Sequence, residues 1–580
     1  MRIALLYPPP KQPPARGRPA GPSADGACDA SDASLVPYGL LSLAAWAAEA
    51  GHQVKTFNLS TFPWSQVEAL LRGLDADLYG LTCLTSNRHG VASAAACIRR
   101  CHPAAHIVVG GPHASALPAE TLGRWGDVDT VVIGEGEATF AELVERLAAG
   151  GAVRGVAGTA WREPDGAVRT GPPRPRIADL DALAKVHAHF PYHVLLTSRG
   201  CPGQCSFCAS ASVWGRRCSF HGVGYVLDSI ERMLRRLPFP AIAVKDDTFT
   251  AHRRRALEIC REIGRRGLRL LWSCDTRADA LDEEMLRAMR LAGCQQISLG
   301  VESGCPEVLA CLRKGVAPEQ VLAATRLAQA YGIRVRYFMI AGSRGESVDA
   351  FRQSLRLIQA GRPNSYVFSI LSVFPGTEEY EILRRQGRIG PEWFFQNDDA
   401  EFWHLPPAQV MQELVRRHLH PPIRDFSAAE CQAALRRLPD LHAAHVDLGA
   451  ACFRAGQVDR AELHLLQALK LNYPVPDLVY NYLAGITGRR GDLGGMKAQY
   501  DRLVQRPGVH PLVAANAKAL DQWLAGGGAR SGRKLNLAMR HTFEPAFVAS
   551  QPVLPAPLPP NACRWPDAPA AAALHGAKAG

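Results

Sequence analysis

No apolar run in this 580-residue chain approaches the ~20 residues that span a bilayer, which excludes an integral membrane protein. The N-terminus, MRIALLYPPP, carries one basic residue and too short an apolar stretch for a signal peptide, so a cytoplasmic chain is expected. Basic residues exceed acidic ones by 12, but the excess is arginine scattered through every segment, with no run long enough to make a nucleic-acid patch. The densest stretch, RRALEICREIGRRGLRL, spaces its apolar residues as an amphipathic helix does. No nucleic-acid partner is expected.

What is present is a globular balance, 47% apolar and 21% charged, and at ~150 residues per domain enough chain for about three or four domains. Sixteen cysteines in a reducing compartment argue against a disulfide framework and for metal or redox chemistry in some of them.

Residues 1–150 alternate short β-rich runs (RIALLYPP, QVKTFNL, LYGLTCL, HIVVGG, TVVIGEG) with helical patterns, which predicts an α/β, doubly wound, Rossmann-like domain. Its ligand side lies at the carboxyl ends of the strands. Residues 151–190, a weak strand-turn stretch followed by prolines, read as a connector. A second series of strands fills 191–424 (HVLLTSRGC, AIAVKDD, LRLLWSCDTR, QISLGVESG, VRYFMIAGS, YVFSILSVFPGT) and predicts a partial parallel β/α barrel with its chemistry at the strand ends. Residues 425–525 read as tetratricopeptide-like α-helical repeats, with Leu448, Gly449, Gly456, Ala461, Leu465, Ala468 and Pro474 in one hairpin and a fainter copy about 35 residues on. The alanine- and proline-rich tail, 526–580, is expected to be disordered.

The most informative run is SRGCPGQCSFC, in which Cys201, Cys205 and Cys208 follow a strand at C-x3-C-x2-C spacing. Three thiolates on one tight loop can face three corners of an iron–sulfur cube and leave the fourth iron open. A structural zinc site is the alternative; it wants four ligands, and no fourth partner stands at a suitable spacing.

With Phe207 before the last cysteine, this motif resembles the radical S-adenosylmethionine superfamily. The resemblance implies a [4Fe–4S] cluster whose free iron chelates S-adenosylmethionine, and a flavodoxin- or ferredoxin-type electron donor. It continues through the later strand ends and implies cofactor contacts at Asp246, Arg277, Glu302, Ile340 and Gly342, with Glu302 on the ribose or amino group and Ile340 and Gly342 along the adenine. The alternative for Asp246, Arg277 and Glu302 is a buried ion-pair network inside the barrel. Ser343-Arg344 departs from the family's usual proline before the loop glycine.

LTCLTSNR, GGPHAS and IGEGEATF, in that order before the cysteines, resemble the cobalamin-binding domain fused to many such enzymes, and imply that Thr82, Thr85, Gly110, Gly111, Gly134 and Glu135 border the corrin. Glycine at a strand end lets a flat ring approach the backbone. The D-x-H-x-x-G motif is absent: Asn58 ends the second strand and no histidine follows at the right distance, so cobalt is expected without a protein histidine there. His113 and His89 are read either as neighbours of the ring or as ordinary surface or capping histidines. The remaining cysteines form no second cluster pattern; Cys97 and Cys101, one helical turn apart, read as core.

The resulting expectation is a cobalamin-dependent radical S-adenosylmethionine enzyme, a methyltransferase that uses a 5′-deoxyadenosyl radical and methylcobalamin on an unactivated carbon or phosphorus centre of a small-molecule or peptide substrate. Its alternatives are a non-methylating cyclase or ring-rearranging enzyme, and a repeat scaffold with inactive enzyme domains. The repeats are expected to recruit a protein partner or to brace the barrel. The loop 11–36 is expected to cover the cleft.

Overall fold

The computed structural model describes residues 1–10, 37–396, 417–418, 423–528, 534–541, 563 and 565. The loop 11–36 and most of the tail lie outside the described residues.

The first sheet runs in the order β2-β1-β3-β4-β5-β6-β7, with β1 Arg2–Tyr7, β2 Gln53–Asn58, β3 Leu78–Thr82, β4 His106–Gly110, β5 Thr130–Val132, β6 Thr159–Arg162 and β7 Val168–Thr170. β1 to β5 are parallel. Successive side chains of a strand point to opposite faces, and here each face is a core. Ile3, Leu5, Leu78 and Val108 pack with the helices Tyr38–Glu49 and Glu137–Ala148. Ala4, Leu6, Tyr79, Leu81, Ile107 and Val109 pack with Trp64–Gly73 and Arg88–Cys101. Strands buried on both faces read as continuous apolar runs, which is why the runs stood out in the sequence. The segment read as a connector does more than connect, because β6 and β7 continue the sheet beyond β5 as antiparallel strands.

The second sheet is open and parallel, in the order β15-β14-β13-β12-β11-β8, formed by β8 Val194–Leu195, β11 Ala241–Val244, β12 Leu271–Thr276, β13 Cys294–Glu302, β14 Arg334–Ala341 and β15 Ser365–Ile370. Along β14, Val335, Tyr337, Met339 and Ala341 are buried while Arg336, Phe338 and Ile340 are half-exposed, so one face is core and the other lines an open concavity. β9 Ser198–Arg199 and β10 Ser219–Phe220 form a separate antiparallel ribbon leading into the cysteine loop.

Six helices follow, from Ala428–Arg437 to Pro511–Ala525, each packed on the next; His442–Arg454 also packs on Pro476–Arg489, and that helix on Pro511–Ala525. Helices pair closely where a side chain is missing, as at Gly449, where a Cβ would come within 2.8 Å of Leu465 Cγ. The stack is not a separate body. One apolar core runs from the barrel strands into Val446, Leu448, Leu465 and Tyr482, and the fully buried Arg290 guanidinium donates to Asp447 Oδ2 at 2.5 Å.

The expected disorder of the tail does not hold for residues 534–541. Asn516 accepts from Ala538 N at 2.9 Å and donates to Ala538 O at 2.9 Å, Asn481 donates to the same oxygen at 3.1 Å, and His541 reaches Asp447 Oδ1 at 2.8 Å. Farther on, Trp565 Nε1 donates to Asp75 O at 2.7 Å in the first domain.

Candidate active site

The cysteine loop is mounted before it is reached. Asp246, just past β11, accepts from the backbone N–H of Thr197 (2.6 Å) and Ser198 (3.0 Å) and from Thr197 Oγ1 (2.5 Å). Arg255 donates to Thr197 O at 2.6 Å. Burial raises the Asp246 carboxyl above its ordinary value against the pull of these bonds. Asp246, which the resemblance places at the cofactor, holds with its carboxylate the ribbon that carries the cysteines.

Cys201, Cys205 and Cys208 are half-exposed thiols, in contrast to the buried Cys83, Cys97, Cys260, Cys274 and Cys452. A Cβ on Gly203 would lie 3.3 Å from Cys201 Sγ and 3.8 Å from Cys205 Sγ, so both sulfurs border one small space that glycine leaves open. Burial, helped by Cys205 and Cys201, lifts the Cys208 thiol to about 11. Metal ions require the thiolates, so loading this loop releases protons. Among the described residues no three His, Cys, Asp or Glu side chains converge on a single ion. Zinc, at ~2.3 Å from each sulfur, would need them within about 4 Å of one another. A cube gives each thiolate its own iron.

Next to this loop a cleft of about 950 Å³ is lined by Gly203, Gln204, Arg277, Arg313 and Lys314. Arg277 forks onto Asp279 (3.0 and 2.8 Å) and donates to Lys314 O at 3.2 Å. Lys314 Nζ donates to Glu302 Oε1 at 2.8 Å, with both side chains buried. Burial alone would lower the Lys314 ammonium, but Glu302, helped by Cys205, raises it. Glu302 sits at φ 66°, where a non-glycine residue is rare, and the β13–β14 register shifts beside it. Strain of this kind persists where the surroundings over-determine it, and it clusters at functional sites. Ile340 is half-exposed, on the face of β14 away from the core. Gly342, at φ 83°, donates its N–H to Glu346 Oε2 at 2.7 Å and Ser343 donates to the same oxygen at 3.1 Å. Burial lifts the Glu346 carboxyl to about 7. Of the predicted strand-end residues, Arg277 and Glu302 are linked through Lys314.

The second cavity, about 240 Å³, lies at the carboxyl ends of β1, β3, β4 and β5 and is mainly apolar. Of the predicted residues Thr82, Gly110, Gly111, Gly134 and Glu135 line it. Thr85 does not; it is buried against His113 Nδ1 at 3.2 Å. A Cβ on Gly111, at φ 105°, would strike Cys83 O at 2.7 Å, so this turn exists only with glycine. Such backbone-lined strand ends fit a flat macrocycle. His113 is fully buried, edge-on to Phe394 and Phe395, and is not on the cavity wall. Asn58 caps its own turn, accepting from Ser60 N and Oγ at 3.1 and 2.6 Å.

Leu196, Arg199, Val213 and Trp214 of the second domain close the same cavity. The strand ends of both domains thus face one another across a shared wall.

Residues 26–144 match the B12-binding domain family and residues 195–358 the radical SAM superfamily. An uncharacterized methyltransferase of Pyrococcus horikoshii is 30% identical over 358 residues, 60% of this chain and 78% of that protein. The chain belongs to the cobalamin-dependent radical S-adenosylmethionine enzymes. The cofactors of this radical enzyme are accordingly cobalamin, a [4Fe–4S] cluster and S-adenosylmethionine. An anaerobic magnesium-protoporphyrin IX monomethyl ester cyclase of Rubrivivax gelatinosus is 26% identical, covering 55% of this radical enzyme and 60% of the cyclase. The solved cobalamin-dependent radical enzyme OxsB shares the fold at TM-score 0.55 and 15% identity, over 95% of this chain and 83% of that one.

Sequence reasoning missed Lys314 and Arg199. A lone lysine or arginine carries no pattern; the one available signal was their adjacency to motifs, Lys314 twelve residues after Glu302 and Arg199 two before Cys201.

Proposed function

We propose that this radical enzyme is a methyltransferase acting on an unactivated carbon or phosphorus centre. The observation that carries the reading is the shared wall: the cavity at the strand ends of the first domain is closed by the segment that becomes the cysteine loop. When bound, the cluster with S-adenosylmethionine supplies a hydrogen-abstracting radical and cobalamin supplies a transferable methyl group. The chain's own part is placement. Cys201, Cys205 and Cys208 would hold the cluster; Arg277, Lys314 and the Gly342 loop would orient S-adenosylmethionine; Gly110, Gly111 and Gly134 would let the corrin approach the backbone. The 30% identity to the Pyrococcus methyltransferase favours methyl transfer.

Anaerobically reconstituted protein, reduced and given S-adenosylmethionine, should release one equivalent of S-adenosylhomocysteine per cobalamin before any substrate is added. With substrate, S-adenosylhomocysteine and 5′-deoxyadenosine should form in equal amounts. 5′-Deoxyadenosine with no S-adenosylhomocysteine would favour the second reading, a non-methylating reaction, which the Rubrivivax cyclase supports.

The C-terminal helices fit tetratricopeptide-like hairpins whose role is to brace the barrel. The continuous core and the buried Arg290–Asp447 pair support bracing over recruitment of a partner, and residues 534–541 occupy the surface formed by Asn481, Tyr482 and Asn516.

A further inference from the structure

The glutamates of the GEGE run serve an arginine. Arg199 Nη1 donates to Glu135 Oε1 at 3.0 Å and Nη2 to Glu137 Oε1 at 2.5 Å, and the three side chains are 7%, 6% and 10% exposed. Each carboxylate is tied a second time. Glu137 accepts from Ser42 Oγ (3.0 Å) on the helix Tyr38–Glu49, and Glu135 accepts from Ile177 N (2.7 Å) in the segment that follows β7. On the other side Arg199 lies over the Trp214 ring, 5.3 Å from its centroid. Its backbone pairs with Ser219, and its neighbours Thr197 and Ser198 are pinned by Asp246.

The first domain, the segment after β7 and the barrel therefore meet at a single guanidinium. It stands two residues before Cys201 and on the wall of the strand-end cavity. Exposed ion pairs do little to fix geometry, because solvent screens them. A buried fork with every carboxylate engaged has one low-energy arrangement, and arginine's planar donors are pre-organised for it.

We propose that Arg199 is a positioning residue that sets the spacing and angle between the corrin cavity and the cysteine loop, and that Glu135 and Glu137 act through Arg199 and not by contact with the corrin. The proposal rests on the two cofactors and not on the methyl-transfer outcome. It also accounts for an acidic pair beside a cavity that is mainly apolar.

The test is the magnetic interaction between cob(II)alamin and the reduced cluster in the full chain, read as relaxation enhancement of the cobalt signal in molecules loaded with both. Arg199→Met combined with Glu135→Gln and Glu137→Gln removes all three charges and keeps an acceptor for Ser42 Oγ and Ile177 N. This triple variant should weaken and broaden the interaction, and coupled turnover should fall by roughly 10–100-fold, as a displacement of ~1 Å does. Arg199→Lys, whose single ammonium cannot fork, should fall between it and the parent. An unchanged interaction in the triple variant would overturn the proposal. So would full parental behaviour of Arg199→Lys, since one charge would then suffice, and so would a triple variant that no longer holds the cluster, since Arg199 would then be holding the fold and not the spacing. If the parent makes no S-adenosylhomocysteine, the methyl-transfer reading fails while this measurement still stands.

Discussion

Replacing Lys314 by methionine removes one half of a pair in which both side chains are less than a tenth exposed, 7% for Lys314 and 8% for Glu302. Methionine fills the volume of the lysine stem, so the change is electrostatic. Glu302 would be left as a buried carboxylate with its charge partner gone, and breaking a buried pair from one side destabilises by about 3–5 kcal/mol. Against a domain stability of about 5–15 kcal/mol that is a large part of the total. Lys314→Met with Glu302→Gln leaves no buried charge and should recover most of the loss. The backbone adds a second, independent quantity. Glu302 is held at φ 66°, where glycine is at ease and other residues cost about 1–2 kcal/mol. In the Lys314→Met background, Glu302→Gly should therefore be more stable than Glu302→Ala by about 1 kcal/mol, although glycine usually destabilises a strand. Urea unfolding followed by circular dichroism measures all four proteins. A loss under about 1 kcal/mol for Lys314→Met, or alanine outranking glycine at 302, would refute the reasoning.

The remaining predictions concern the cofactors and the brace. Cys201→Ala, Cys205→Ala or Cys208→Ala should each abolish 5′-deoxyadenosine formation, while Cys97→Ala and Cys452→Ala, both buried in helical cores, should largely keep it; equal losses in both sets would mean that the cluster is held elsewhere. Bound cob(II)alamin should show no protein-imidazole nitrogen coupling, since among the described residues no histidine lines the cavity; a nitrogen pattern from a protein imidazole would contradict this. A chain cut after Arg424 should precipitate or lose its cluster, because Arg290, fully buried, loses Asp447 and the shared core is opened; a soluble product that keeps the cluster would show the stack to be separable. Asp447 is held down to about 2: burial works against this, and Arg290 and His541 outweigh it. A depressed carboxyl stabilises fully above its unfolded value of about 3.9. That share, on the order of 2 kcal/mol, should fade as pH falls from about 4 to 2, and Asp447→Asn should remove the pH dependence in this window.

Much of this protein was determined by its sequence. Apolar runs bounded by glycine announced the parallel strands, because a strand covered on both faces has no polar side to alternate with. The cysteine spacing announced the loop that carries the thiols, because three ligands within eight residues are close whatever the fold does. Glycines at 111 and 134 were legible for a similar local reason, since the backbone there takes a positive φ. Tertiary structure alone decided which charges meet. Glu135 reads in the sequence as a cofactor residue, and nothing there shows that it and Glu137 meet Arg199, more than sixty residues away. That Asp246 accepts from Thr197 and Ser198 follows only from the pairing of β8 with β11. Lys314 gained a role only when the chain returned it to Glu302, and the tail gained structure only because Asn481 and Asn516 wait on two different helices. Local pattern reports the conformation of a segment; a buried ion pair depends on two segments at once, and single-sequence periodicity carries no record of the second.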